Sequence, residues 1–235
     1  MIEAVLFDLD GTLLETDIER FMRHYLQDLS SHVAQLLPPT EFVECLMAAT
    51  RSTVANIDPA TTNEEAFRQA FNACASRPLE ELTVAIEEYY ATGFRRLIAH
   101  TRRREEARPL VERVLALKRK AVVATNPLFP LTAIVQRLEW ADVADLPFAL
   151  ITSYENMHFT KPHPQYFQEI AERIGVAPQR CLMIGDDVEL DGRPAMQIGM
   201  RFFWTTDDGA SSQTRGGLAH LRRLIDEGLL DAQES

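Results

Sequence analysis

Two apolar runs of this chain end in carboxylates. The run 4–7 leads into Asp8, Leu9, Asp10, Gly11 and Thr12, and the run 181–185 leads into Asp186, Asp187 and, four residues on, Asp191. A carboxylate beside buried apolar surface is costly unless it is paired or binds a cation. A third apolar run ends in Thr125 and Asn126, and a lysine, Lys161, stands in the segment "TKPHP". Carboxylates, one ammonium and a small hydroxyl residue suit phosphoryl transfer, which needs in-line positioning and charge compensation. Asp8 is a candidate nucleophile that would form an aspartyl-phosphate. Asp10, displaced from it by one residue and a turn relaxed at Gly11, is a candidate acid for the leaving oxygen and base for water. Lys161 offers a point positive charge. Thr125 offers a hydroxyl and nearby backbone N–H groups offer donors, so Thr125 and Asn126 are candidates to bind phosphate. A hard cation such as Mg²⁺ would resolve the charge problem through Asp8 and Asp186. Asp187 and Asp191 are four apart on an incipient helix and would orient those ligands.

These residues need a scaffold that gathers them. Five apolar runs have strand length: 4–7, 121–125, 148–151, 181–185 and 201–205. Helical patterns lie between most of them, at 109–120, 130–140, 163–175 (stopping at Gly175) and 217–229. The alternation predicts an α/β fold with a doubly wound, mostly parallel five-stranded Rossmann-like sheet. Sites in such sheets form at the carboxyl ends of strands, which is where the candidate residues fall. One connection breaks the rhythm. Between the first two strands nearly everything reads as helix, so an all-helical domain is expected at 16–105, inserted into a core of 1–15 and 106–235. Phe21, Met22, Tyr25 and Leu26 recur at helical spacing there and are expected to pack its helices together.

The motifs "DLDGT" (8–12), "VVATN" (122–126), "KPHP" (161–164) and "GDDVELD" (185–191) resemble, in order, those of the haloacid dehalogenase-like (HAD) hydrolase superfamily. The resemblance implies that Asp8 is the nucleophile and Asp10 the general acid/base. It implies that Thr125 and Lys161 hold the phosphoryl group, and that Asp8, the Asp10 carbonyl and Asp186 bind Mg²⁺. Asp191 resembles the acid that supports the metal ligands, and Asp187 stands where many members have serine. The inserted helices resemble the family's cap, a lid that selects substrate. The implied function is a Mg²⁺-dependent phosphatase for a small phosphorylated metabolite of phosphoglycolate, sugar phosphate or nucleotide monophosphate type. A phosphomutase shares these motifs. Dehalogenases attack carbon without a metal and generally lack the second aspartate, so Asp10 argues against them. Phosphonatase-like members use a cap lysine, and residues 15–107 contain none. A receiver-like module that only accepts phosphate on Asp8 would need neither Asp10 nor the insertion.

Composition bounds the remainder. The net charge of −11 disfavours nucleic acid. No apolar stretch suits a membrane span, and the N-terminal run lacks the basic flank of a signal peptide. Cys45, Cys74 and Cys181 have no metal-ligand spacing and are expected to be reduced, in a cytoplasmic protein. The basic run 95–109 contains its own acids, Glu105 and Glu106, and reads as a solvated helix face. The histidines show no ligand spacing. Arg20, Arg51 and Tyr89 are considered as leaving-group contacts but read better as structural or solvated. The sequence leaves monomer and homodimer equally open.

Overall fold

A computed structural model describes residues 1–231. Its sheet is built from β1 (Ala4–Phe7), β4 (Lys120–Val123), β5 (Leu150–Ile151), β6 (Cys181–Gly185), β7 (Arg201–Thr205) and β8 (Arg215–Gly216). They lie in the order β5-β4-β1-β6-β7-β8, and every neighbouring pair is parallel. The sheet therefore has six strands, one more than the sequence predicts. The extra strand is two residues long and lies next to glycines, so no apolar run announces it. Backbone pairing to the edge of β7 defines it, Trp204 opposite Arg215 and Thr205 opposite Gly216.

The strands are largely apolar because both faces are covered, and the charged exceptions, Lys120, Arg201 and Arg215, stand at strand starts. Their period of two divides them between two cores. Val5, Phe7, Ala121, Val123, Leu182 and Ile184 face α5 (Ala107–Ala116), α6 (Leu131–Trp140) and α9 (Leu218–Asp226). Ala4, Leu6, Val122, Ala124, Cys181 and Met183 face α7 (Pro164–Ile174) and α8 (Arg193–Gln197). β1 is central, paired with β4 on one side and β6 on the other. The loops after these three strands are therefore neighbours.

The chain leaves and re-enters the core through a two-stranded antiparallel ribbon, β2 (Leu14–Thr16) with β3 (Thr101–Arg103). Between them come α1 (Ile18–His32), α2 (Pro39–Ala55), α3 (Asn63–Cys74) and α4 (Thr83–Glu88), followed by irregular helical turns to His100. α3 begins with a capping box between Thr62 and Glu65. These helices close on an apolar cluster with Phe21, Tyr25, Phe42, Phe71, Tyr89 and Phe94 at its centre, which continues onto Phe129, Ala133 and Trp140 at α6. Two expectations change here. The basic run 95–109 is not one helix face, since it passes into β3, where backbone pairing with β2 extends it. Cys45 and Cys74 are not reduced but joined by a disulfide. Packing of α2 on α3 brings their Cα atoms to 5.4 Å, a juxtaposition that residues 29 apart in sequence do not advertise. Cys181 is free and buried. Among the described residues no helix is long and apolar enough to cross a membrane.

Candidate active site

Asp8 follows β1 directly, and its amide still donates to the carbonyl of Ile184 on β6 (2.9 Å). That bond holds its carboxylate at the strand's end, where it is 7% exposed. Lys161 arrives from the loop before α7. Its Nζ donates to Asp8 Oδ1 at 2.6 Å and to Asp191 Oδ1 at 2.5 Å. Asp186 follows β6, and carboxylate oxygens of Asp8, Asp186 and Asp191 all lie within 4.8 Å of one another. One ammonium thus faces three carboxylates.

The electrostatics follow from that imbalance. Burial raises the Asp8 carboxyl well above its usual range; Lys161 opposes the shift, and Asp191 and Asp186 add to it. The Asp186 carboxyl is pushed up to about 6, first by desolvation in the crevice and then by Asp191. Burial disfavours charge on Lys161, but Asp191 and Asp8 outweigh it and hold the ammonium above its ordinary range. Uncompensated oxygen ligands in a crevice suit a hard divalent cation. The donor set of Asp8, Asp186 and Asp191 therefore fits a cation such as Mg²⁺.

Two glycines make the crowding possible. Gly11 has φ +86°, and a Cβ there would lie 2.2 Å from Asp186 Oδ2. A Cβ on Gly185 would lie 2.1 Å from Asp191 Oδ2. Each lets a carboxylate press against bare backbone.

The other predicted residues have distinct placements. Asp10 lines the same cavity as Asp8, but its carboxylate lies outside the cluster of three acids. It accepts from Thr16 Oγ1 on β2 (2.9 Å) and from Arg137 Nη1 on α6 (2.5 Å). Thr125 is buried beside the cluster, its carbonyl held by the hydroxyls of Thr152 and Tyr166, both at 2.8 Å. Asn126 accepts from the backbone N–H of Lys161 (3.2 Å) and so joins two of the motifs. Asp187 turns its carboxylate to its own chain, accepting from the amides of Glu189 and Leu190 (2.8 and 3.0 Å). Asp191 is more intimate than a supporting residue, since it touches Lys161 and lies in the acid cluster.

Sequence reasoning missed Arg137. It is 1% exposed, pairs with Asp10 and stacks over the Phe129 ring at 4.6 Å. Only its place on the inward face of α6 marks it. Arg104, just past β3, donates to the Gly11 carbonyl (3.0 Å) and forks onto Asp207 (3.1 and 2.8 Å). Arg20, Arg51 and Tyr89 do not line the cavity, whereas Met22 and Tyr25 of α1 do.

Comparison with known proteins agrees with this architecture. The family model for haloacid dehalogenase-like hydrolases matches residues 2–199. Pyrophosphatase PpaX of Bacillus cereus (strain AH820) is 24% identical over 191 residues, covering 79% of this chain and 75% of the relative. A HAD phosphatase from Thermococcus onnurineus superposes with a TM-score of 0.57 at 22% identity, over 95% of this chain and 98% of that one. A 2-haloacid dehalogenase from Pseudomonas syringae pv. tomato DC3000 gives 0.58 at 24% identity, over 97% and 99%. At such identities the structural likeness speaks for the fold, and with the family match over residues 2–199 the chain belongs to the haloacid dehalogenase-like hydrolases.

Proposed function

We propose that this chain is a Mg²⁺-dependent phosphatase that works through an aspartyl-phosphate on Asp8. The observation that carries the reading is Lys161, bonded at once to Asp8 and Asp191 within a cluster of three carboxylates. A nucleophilic carboxylate needs its charge partly neutralised so that an anionic phosphate can approach, and a buried ammonium supplies part of that. Mg²⁺ held by Asp8, Asp186 and the Asp10 carbonyl would supply the remainder and polarise the phosphoryl oxygens.

The residues divide the work. Lys161 fixes the attacking Asp8 oxygen and then faces the equatorial oxygens of the transferring group. Thr125 and Asn126 flank the phosphoryl group, with Thr125 braced by Tyr166 and Thr152. Asp10 gives its proton to the departing oxygen and later takes one from the water that attacks Asp8-phosphate. For that it leaves Arg137 and Thr16 and turns toward the reacting centre. Residues 16–105 act as a cap that encloses the leaving group and excludes water. Asp10 separates this chemistry from attack on carbon, which needs no acid for its leaving group.

Purified protein with Mg²⁺ should hydrolyse p-nitrophenyl phosphate. Chelation by EDTA and Asp8→Asn should each abolish turnover. Activity that persists in either case would refute the proposal.

A further inference from the structure

The acid cluster opens into a cavity of about 990 Å³ beneath the helices. That is at the upper end of small-molecule sites, roughly 300–1,000 Å³. A phosphoryl group on a two-carbon acid would fill a small part of it. Away from Asp8 and Lys161 the wall is mostly apolar, carried by Met22, Tyr25, Met47, Phe67, Ile86 and Phe129, with charged side chains between them. Of these, Met22, Met47, Phe67, Ile86 and Phe129 are only half-buried, so they keep surface to offer a ligand.

The charges on the wall are equally informative. Its cations are Lys161, Arg137 and Arg68. Lys161 is held by Asp8 and Asp191, Arg137 by Asp10, and Arg68 lies 3.7 Å from Glu80. Glu64, Glu87 and Glu155 also line the cavity. A leaving group bearing a second phosphate or a carboxylate would meet acids there, with every lining cation among the described residues already paired. An uncharged apolar leaving group would meet methionine, isoleucine and aromatic surface.

We infer that the cavity is a leaving-group pocket for phosphate monoesters of bulky apolar alcohols, aryl or alkyl, in preference to small anionic metabolites. The inference rests on the phosphatase reading above. The step it serves is balanced. The Asp8 oxygen forms a bond to phosphorus, the bond between phosphorus and the alcohol oxygen breaks, and that oxygen takes the Asp10 proton. The freed alcohol leaves, and water then cleaves Asp8-phosphate to inorganic phosphate.

The test is a series of ethyl, butyl and hexyl phosphate below their aggregation concentrations, with phosphoglycolate and pyrophosphate alongside, all with Mg²⁺. Each methylene that enters the pocket should raise kcat/KM about three- to fourfold, so hexyl should exceed ethyl phosphate on the order of 100-fold. Met47→Glu, which adds a charge to the apolar wall, should flatten that slope. A flat series, or phosphoglycolate or pyrophosphate outrunning hexyl phosphate, would overturn the inference while leaving the phosphatase reading intact. Turnover of none of the five compounds would overturn that reading and the inference together.

Discussion

Arg137→Met isolates the least expected contact in the site. The Arg137 side chain is 2% exposed, and its Nη1 lies 2.5 Å from Asp10 Oδ2. At an effective dielectric of ~20 the gross attraction at that separation is several kcal/mol, and desolvating the guanidinium takes back most of it. Two features lower the net cost of the substitution. The buried Nη2 finds no acceptor among the described residues, so removing it relieves a penalty. The Asp10 side chain is 20% exposed and can turn toward the crevice, so it is not stranded. The loss should therefore fall below the ~3–5 kcal/mol of a fully buried broken pair, at about 2 kcal/mol, or roughly 4–8 °C in Tm. Methionine keeps much of the side-chain volume and its packing on Phe129, which confines the effect to the charge. Urea denaturation of wild type, Arg137→Met, Asp10→Asn and the double variant gives the coupling directly. It should be about 1–3 kcal/mol. A coupling below ~0.3 kcal/mol would show that the two groups do not sense each other, and the account of how Asp10 is held would fail.

The remaining predictions concern the acid cluster. Because the Asp8 and Asp186 carboxyls are raised, the latter to about 6, the metal-free fold binds protons that the unfolded chain has released. Its stability should fall as pH rises from ~4 through 6, and Mg²⁺, which needs both groups ionised, should raise Tm more at about pH 7.5 than at about pH 5. Thermal melts with and without Mg²⁺ check this, and an increment independent of pH would contradict it. Gly11→Ala places a Cβ where Asp186 Oδ2 now lies and imposes a positive φ on an L residue. It should cost about 1–2 kcal/mol in stability and raise the Mg²⁺ concentration for half-maximal activity at least ~10-fold. An unchanged Mg²⁺ requirement would mean that Asp186 is not a ligand.

The apolar runs carried most of the fold because a strand buried on both faces must be continuously apolar, and the five runs that read this way all contain strands. β8 escaped because a two-residue strand, Arg215 and Gly216, carries no apolar alternation; the stacking of Arg215 over the Trp204 ring at 4.2 Å is a tertiary contact with no local signature. The site was legible where a residue type is costly outside a site. Asp8, Asp186 and Asp191 are charges just past the ends of apolar strands, and Lys161, singled out by its place in "TKPHP", converges with them. Asp187 has the right type and place but caps its own turn, which sequence spacing does not distinguish from a supporting ligand. Arg137 was invisible because arginine on a helix ordinarily faces water. Only the tertiary approach of α6 to the Asp10 turn gives it a partner. The Cys45–Cys74 bridge was hidden for the same reason. It also removes the reduced-thiol argument for a cytoplasmic location.

The central claim is that phosphorus is transferred to Asp8. Acid-quenching the Asp10→Asn protein during turnover with Mg²⁺ and p-nitrophenyl phosphate, whose leaving group departs without an acid, followed by peptide mass mapping, tests it directly. Without Asp10 to activate water the intermediate should accumulate, and the peptide bearing Asp8 should gain the mass of one phosphoryl group, a gain that Asp8→Asn eliminates. Hydrolysis that proceeds with no phosphoryl group on that peptide, or with the label on another residue, would contradict the account.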